Sequence, residues 1–355
     1  MGKILIKNGR VWDGESFFFA DLLTDGRLIS KIRDNISDSA DFVFDARGMI
    51  VSAGLVDAHT HLRGVSTDNF GINAEAVCFP FGVTAAADAA AELGNSDTLN
   101  QIGVKTCVYV ATNIRDNKAY FENTLKYLEA FGESTVGVKV YFDETGGQVR
   151  DIIPLKEICD FAHGRGLKVM VHCSNSPTNM SEILDCLTCG DTLTHAFHGE
   201  PNTSAEGGFK ALKEAQKRGV IIDVGFAGHV HTDFSVLEAA IKSGVVPDII
   251  STDITRLSAF RRGGRYGLTM CMSIAKDLGL SEEDVFCAVT SGPAKALGKE
   301  GEWGCLKKGG TANICVLNYT DEAYCLTDKA DNTVENNKGY RCVLTISDGE
   351  VVYRR

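Results

Sequence analysis

The sequence has no excess of positive charge: 36 Lys and Arg stand against 47 Asp and Glu, a formal net charge of -11 over 355 residues. No basic face is offered to a phosphate backbone or anionic lipid, so nucleic acid is not an expected partner. Long apolar runs are also missing. Spanning a bilayer takes about 20 consecutive apolar residues, and the most apolar stretches, such as Val220 to Phe226, are short and interrupted by charge. No membrane partner is expected. The start, Met1-Gly2-Lys3-Ile4-Leu5-Ile6-Lys7, shows no long apolar core of a secretory signal, and a cytoplasmic location is expected. Twelve cysteines in this length are scattered through apolar stretches (Cys107, Cys159, Cys287, Cys315) rather than set out as a disulfide framework, so they read as reduced core residues. The one close pair, Cys186 and Cys189, lacks both the second pair of a zinc ribbon and the strand context of a redox motif. Internal repeats, low-complexity tracts and a Gly-x-Gly-x-x-Gly after the first strand are absent, and the last absence argues against an open dinucleotide-binding sheet.

What remains is 44% hydrophobic, 23% charged and 8% aromatic, the proportions of a globular chain with a sizeable core. Its length exceeds a usual single core, which predicts one large domain plus something smaller. Residues 3 to 48 read as short strands (Ile4 to Lys7, Arg10 to Trp12, Leu28 to Ile32, Phe42 to Asp45) around turns such as Asp25-Gly26. The far end reads alike, with Ala312 to Leu317, Arg341 to Ile346, an Asp348-Gly349 turn and Val351 to Tyr353. The two ends are therefore expected to form one small discontinuous β domain, a β-sandwich of residues 1–50 and 303–355.

Between them, residues 51–302 alternate β-branched runs with helical periods, the pattern of βα units and a parallel sheet. Eight strands are expected: Ile50 to His61, Gly82 to Ala89, Lys105 to Thr112, Gly137 to Phe142, Leu167 to Cys173, Thr192 to Phe197, Val220 to Phe226 and Asp248 to Ile254. Helices are expected over Leu155 to Arg165, Gly208 to Arg218 and Phe234 to Ser243, the last capped by Asp233. Eight strands with helices between them in about 250 residues fit an α/β fold of the (β/α)8 TIM-barrel kind.

In such a barrel chemistry gathers where strands end. His59 and His61 close the first strand, Lys139 lies in the fourth, His172 and His195 end the fifth and sixth, and Asp253 ends the eighth. His59 and His61, two apart on a strand, leave the same face ~6 to 7 Å apart at the root and can grip one ion. Each histidine alone is more often a satisfied core residue; their agreement across strand ends points to metal. Imidazole and carboxylate suit zinc, iron or manganese, and no cysteine is placed to join them. A buried lysine beside metal charge is pushed towards the neutral amine, and a neutral amine can add carbon dioxide to become an anionic carbamate.

The ordered set His59, His61, Lys139, His172, His195 and Asp253, with the β-rich flanks, the run Asp45 to Asp57, and the segments Thr290 to Gly298 and Gly309 to Asn313, resembles the amidohydrolase superfamily. It is most similar to the dihydroorotase-like branch with two metal ions and a carboxylated lysine. That resemblance implies that His59, His61 and Asp253 hold the more buried ion and His172 and His195 the more exposed one. It implies two divalent ions, zinc by preference, bridged by an N6-carboxylysine at Lys139. A bridging hydroxide would attack a carbonyl, with Asp253 as the catalytic proton carrier. The reaction expected is hydrolysis of an amide or ester of a small substrate, either a cyclic amide of the dihydroorotase or hydantoinase type or an N-acyl or O-acyl acid. A homo-oligomer is also implied.

Substrate-binding candidates are Arg63, His198, His229 and Arg256. Arg63 follows the histidine pair as in dihydroorotases, where that arginine holds a substrate carboxylate, so an acidic substrate is expected. Orotate chemistry itself is disfavoured, because Asp88-Ala89-Ala90-Ala91-Glu92 lacks that family's Met-Pro-Asn and Ile254-Thr255-Arg256 follows Asp253. His198 follows His195 closely enough to reach substrate, His163 reads as a surface helix residue, and His229 and His231, beyond strand seven where metal ligands are not expected, read either as a substrate-contacting loop or as plain loop residues. Arg256, Arg261, Arg262 and Arg265 form either an anion-reading loop or a solvated run. Two alternatives stand beside the hydrolase: a deaminase, disfavoured by Lys139, and a non-catalytic scaffold, disfavoured by the intact ligand set.

Overall fold

The computed structural model describes residues 2–63, 70–94, 103–145, 147–228, 230–261, 265–321 and 323–355. Both ends of the chain meet in one eight-stranded sheet. Its neighbours run Glu350–Arg354, Gly339–Ser347, Ile314–Thr320, Ile50–Ala53, Ile4–Trp12, Phe17–Asp25 and Leu28–Arg33, with Phe42–Asp45 also paired to Ile4–Trp12. Strands from both ends thus share a single continuous hydrogen-bonded sheet. The Asp348-Gly349 turn has positive φ at both positions (50° and 79°), the geometry of a tight two-residue hairpin. Strand Phe17–Asp25 and the hairpin of Tyr324–Thr327 with Thr333–Asn336 lack strong alternation and went unpredicted.

The expected strand Ile50 to His61 divides at Gly54. Ile50–Ala53 pairs with Ile314–Thr320 and with Ile4–Trp12 in the terminal sheet, while Leu55–Thr60 opens a second sheet. The division is steric. A Cβ at Gly54 would lie 2.1 Å from Thr84 Oγ1, so only glycine lets the chain pass from one sheet to the other there.

The second sheet is parallel and curled, in the order Leu55–Thr60, Val83–Ala91, Lys105–Arg115, Thr135–Tyr141, Lys168–His172, Thr192–Thr194 and Ile221–Ile222. Residues 248–254 form no regular eighth strand. Their main chain nonetheless bonds on both sides: Val224 N–H donates to Ile249 O at 3.1 Å, Asp253 N–H to His59 O at 2.8 Å, and His61 N–H to Ile254 O at 3.0 Å. The arrangement has the form of a TIM-like barrel. Regularity fails at Asp253 because its φ is 47°, left-handed rather than extended.

Period two sets which side chains face inward. Val138, Val140, Val169, Val171 and Leu193 share one buried cluster with the helix residues Leu155, Ile158, Leu212 and Leu237. Lys139, His172 and Thr194 alternate with them and point to the other face of the sheet. The predicted helices appear as Ile153–His163, Lys210–Lys217 and Phe234–Lys242, and Asp233 caps the last through the N–H groups of Ser235 and Val236. All twelve cysteines are free, most of them buried, although Cys189 and Cys325 are exposed. Among the described residues no helix is long and apolar enough to cross a membrane.

Candidate metal centre

Every predicted metal-binding side chain is buried at the carboxyl ends of the curled strands: His59, His61, Lys139, His172, His195 and Asp253. His59, His61 and Asp253 bring one donor atom each within 4.8 Å of one another. His61 Nε2 lies 2.9 Å and His59 Nε2 3.3 Å from Asp253 Oδ1. The main-chain bonds between residues 253–254 and 59–61 press these three together. A second set, His172, His195 and His231, meets the same 4.8 Å limit. The two sets adjoin, with the His59 and His195 rings 5.3 Å apart and Asp253 Oδ2 3.7 Å from His195 Nε2.

Lys139 Nζ sits 2.8 Å from His59 Nε2 and 3.6 Å from Met170 Sδ. Burial lowers its pKa to about 8, a shift towards the neutral amine. Burial likewise holds His172 down to about 3 and His195 well below the usual imidazole range, so both are neutral, the form that binds cations. Burial opposes the charge of Asp253, but His59 and His61 beside it outweigh that and keep the carboxyl ionised.

Partners behind the rings fix their orientation, as metal-binding histidines require. His59 Nδ1 pairs with Thr194 Oγ1 at 2.9 Å; Thr194 in turn donates to Asp223 Oδ2 at 2.7 Å, and Ser251 Oγ donates to the same carboxylate. His195 Nδ1 donates to Gly225 O at 2.7 Å. His195 and Asp253 both adopt left-handed backbone (φ 61° and 47°), a conformation uncommon outside glycine and a mark of a site whose surroundings impose it. His195 Nε2 is buried without a hydrogen-bond partner, and Asp253 Oδ1 meets only the His61 and His59 ring nitrogens. Such an orphaned acceptor costs about 1–3 kcal/mol. A divalent cation would satisfy it, and the donor chemistry of both sets fits one.

The substrate-binding expectations fare differently. Arg63 is buried and its Nη1 lies 3.2 Å from Asp88 Oδ2, so the carboxylate it meets is the chain's own. Arg63→Met is expected to cost about 3–5 kcal/mol by leaving Asp88 charged and fully buried. Arg63→Met with Asp88→Asn should regain most of that in urea unfolding; equal instability of single and double variants would show that the pair is not the cause. His198 is fully buried, with neither ring nitrogen hydrogen-bonded and Glu200 Oε2 3.7 Å from Nδ1. Arg256 is not brought to either donor set: it is exposed at the start of the helix Arg256–Arg261. His229 and Arg262 lie outside the described residues. His163 is no free surface group, since its Nε2 is 2.8 Å from buried Asp191.

Four residues escaped sequence reasoning. His231, expected as a loop residue, stands on His172 and His195; Ser174, Thr194 and Asp223 stand behind the rings. A signal for His231 was its place in a second His-x-His, but it follows strand seven in a loop, where sequence alone gives no direction.

Residues 115–353 match the amidohydrolase family. A deacetylase of Enterococcus faecalis is 25% identical over 375 residues, covering 98% of this chain and 98% of its own. A deacetylase of Agrobacterium fabrum is 28% identical over 80% of this chain and 74% of its own, and a dihydroorotase of Streptococcus pyogenes 31% identical over 48% and 42%. Among solved structures a dihydroorotase superposes with a TM-score of 0.86 at 23% identity, covering 99% of this chain and 98% of that one. An adenine deaminase superposes with a TM-score of 0.82 at 23% identity, covering 99% of each. The chain belongs to the amidohydrolase family.

Proposed function

We propose that the protein is a hydrolase for an amide or ester bond in a small, carboxylate-bearing compound, working with two divalent metal ions, zinc by preference. The observation that carries this reading is the pair of adjoining three-donor sets, all but the half-buried His231 being buried. His59, His61 and Asp253 would hold one ion and His172 and His195 the other, with Lys139, carboxylated by carbon dioxide, between them. When bound, such ions polarise a carbonyl and make water acidic enough to ionise at neutral pH. Asp253, ionised and facing both sets, takes the proton from the attacking water and passes it to the leaving group. Thr194, Asp223 and Gly225 keep the rings in one tautomer and orientation. The substrate-reading groups of this proposal are His198, His229 and Arg256, Arg63 being engaged with Asp88.

Two relatives called deacetylases, one matched along nearly its whole length, favour removal of an acyl group over opening of a ring. The reading takes the curled sheet as a closed (β/α)8 barrel of residues 51–302 and the terminal sheet, 1–50 and 303–355, as a sandwich-like second domain in a cytoplasmic homo-oligomer. A screen of N-acetyl, O-acetyl and cyclic ureide acids with the zinc-loaded protein tests it. Hydrolysis of an acylated acid is expected; ammonia release would instead identify a deaminase, and a protein that binds no zinc would be a scaffold. Lys139→Ala should lose about 10–100-fold or more in affinity for paired ions and recover activity with added short carboxylates. Full activity of that variant without any additive would remove Lys139 from the site.

A further inference from the structure

We propose that His231 is a third imidazole donor beside His172 and His195, giving the second half of the site three imidazoles, and that the Ser174 hydroxyl positions two of these rings. This deepens the metal-dependent reading above and rests on it.

The three rings pack as a triangle, with centroids 4.5 Å (His172 to His195), 4.7 Å (His172 to His231) and 4.2 Å (His195 to His231) apart. Each ring is tethered through one nitrogen. Ser174 Oγ lies 2.7 Å from His172 Nε2 and 3.0 Å from His231 Nδ1. A hydroxyl oxygen has two lone pairs, so it can accept an N–H from each ring. Each ring's other nitrogen then carries a lone pair. His195 reaches the same state by donating Nδ1–H to Gly225 O, and its Nε2 is buried without a partner. Three tethered imidazoles with donor atoms within 4.8 Å of one another form a built cation site.

The chain also fixes the loop that delivers His231. Gly228 N–H donates to Tyr266 Oη at 2.7 Å, and Tyr266 Oη donates to Thr252 O. Beyond His231, Asp233 N–H donates to Phe197 O at 2.9 Å and Phe234 N–H to Asp328 Oδ2 at 2.6 Å. A side chain meant only to touch passing substrate would not need its Nδ1 committed to the hydroxyl that also holds His172.

The test counts ions and reads their surroundings, independently of turnover. The full chain is loaded with Zn2+ or Co2+, dialysed against a weak chelator, and measured by mass spectrometric metal analysis and visible absorption. Wild type should retain on the order of two ions per chain. His231→Gln should keep one and bind the second at least about 10–100-fold more weakly, with a changed Co2+ spectrum; Ser174→Ala should weaken the second ion by a similar factor. Added imidazole should restore the second ion to His231→Gly, which keeps the question answerable if His231→Gln folds poorly. A His231→Gln protein that binds both ions with wild-type affinity and spectrum overturns the inference. So does a wild-type protein that binds none, and that outcome alone also removes the hydrolase reading.

Discussion

Asp253→Asn is expected to lower kcat/KM on a hydrolysed substrate by about two to four orders of magnitude, the range that proton-transfer catalysis supplies. The substitution keeps size and shape. Asparagine tolerates left-handed backbone as aspartate does, so the φ of 47° at this position is no obstacle to folding. What it removes is the only anion among the donors of the first set, 2.9 Å from His61 and 3.3 Å from His59. Both the proton carrier and an ion-binding oxygen charge are lost together. Steady-state kinetics with matched metal analysis reads the effect, and a variant within threefold of wild type would show that Asp253 neither moves the proton nor matters for binding.

The second large effect is expected directly behind a donor ring, at Gly225. Its φ is 58°, and a Cβ there would lie 2.4 Å from Thr194 Oγ1 and 2.6 Å from His195 Nδ1. Two penalties combine in Gly225→Ala. Left-handed backbone costs about 1–2 kcal/mol for a residue with a Cβ, and overpacking a close-packed interior costs about 1–3 kcal/mol more. The clash also falls on the pair that orients His59 and His195, since Thr194 supports the first ring and Gly225 O the second. The variant should therefore lose about 2–5 kcal/mol in urea unfolding of the metal-free protein and bind the second ion weakly. Unchanged unfolding and unchanged ion binding would mean that the loop relaxes freely, and that the close approach does not position His195.

The donors readable in the sequence share one property: each sits within or at the end of a run of strong β character. Lys139 between Val138 and Val140, and His172 after Val171, inherit their direction from period two, which is local. Direction is lost where the local rule ends. His231 lies in a loop whose course depends on Tyr266, Phe197 and Asp328, up to 94 residues away along the chain. Arg63 was legible as a cation beside the histidine pair, but not its partner, because Asp88 belongs to the next strand and pairs with it only across the sheet.

The boundary between sheets shows the same division. The segment from Ile50 to His61 reads as one strand, and nothing local says that its first four residues pair with the far end of the chain. The sequence by itself determined the fold class and the His59–His61 pair, which follow from periodicity and short spacing, while Asp253 and Lys139 joined that pair only through the family resemblance of the ordered donors. Tertiary structure decided the third histidine of the second set, the hydroxyl shared by two rings, the owner of the Arg63 guanidinium and the break at Gly54. These depend on hydrogen bonds and close packing between residues remote in sequence, where no short-range rule acts.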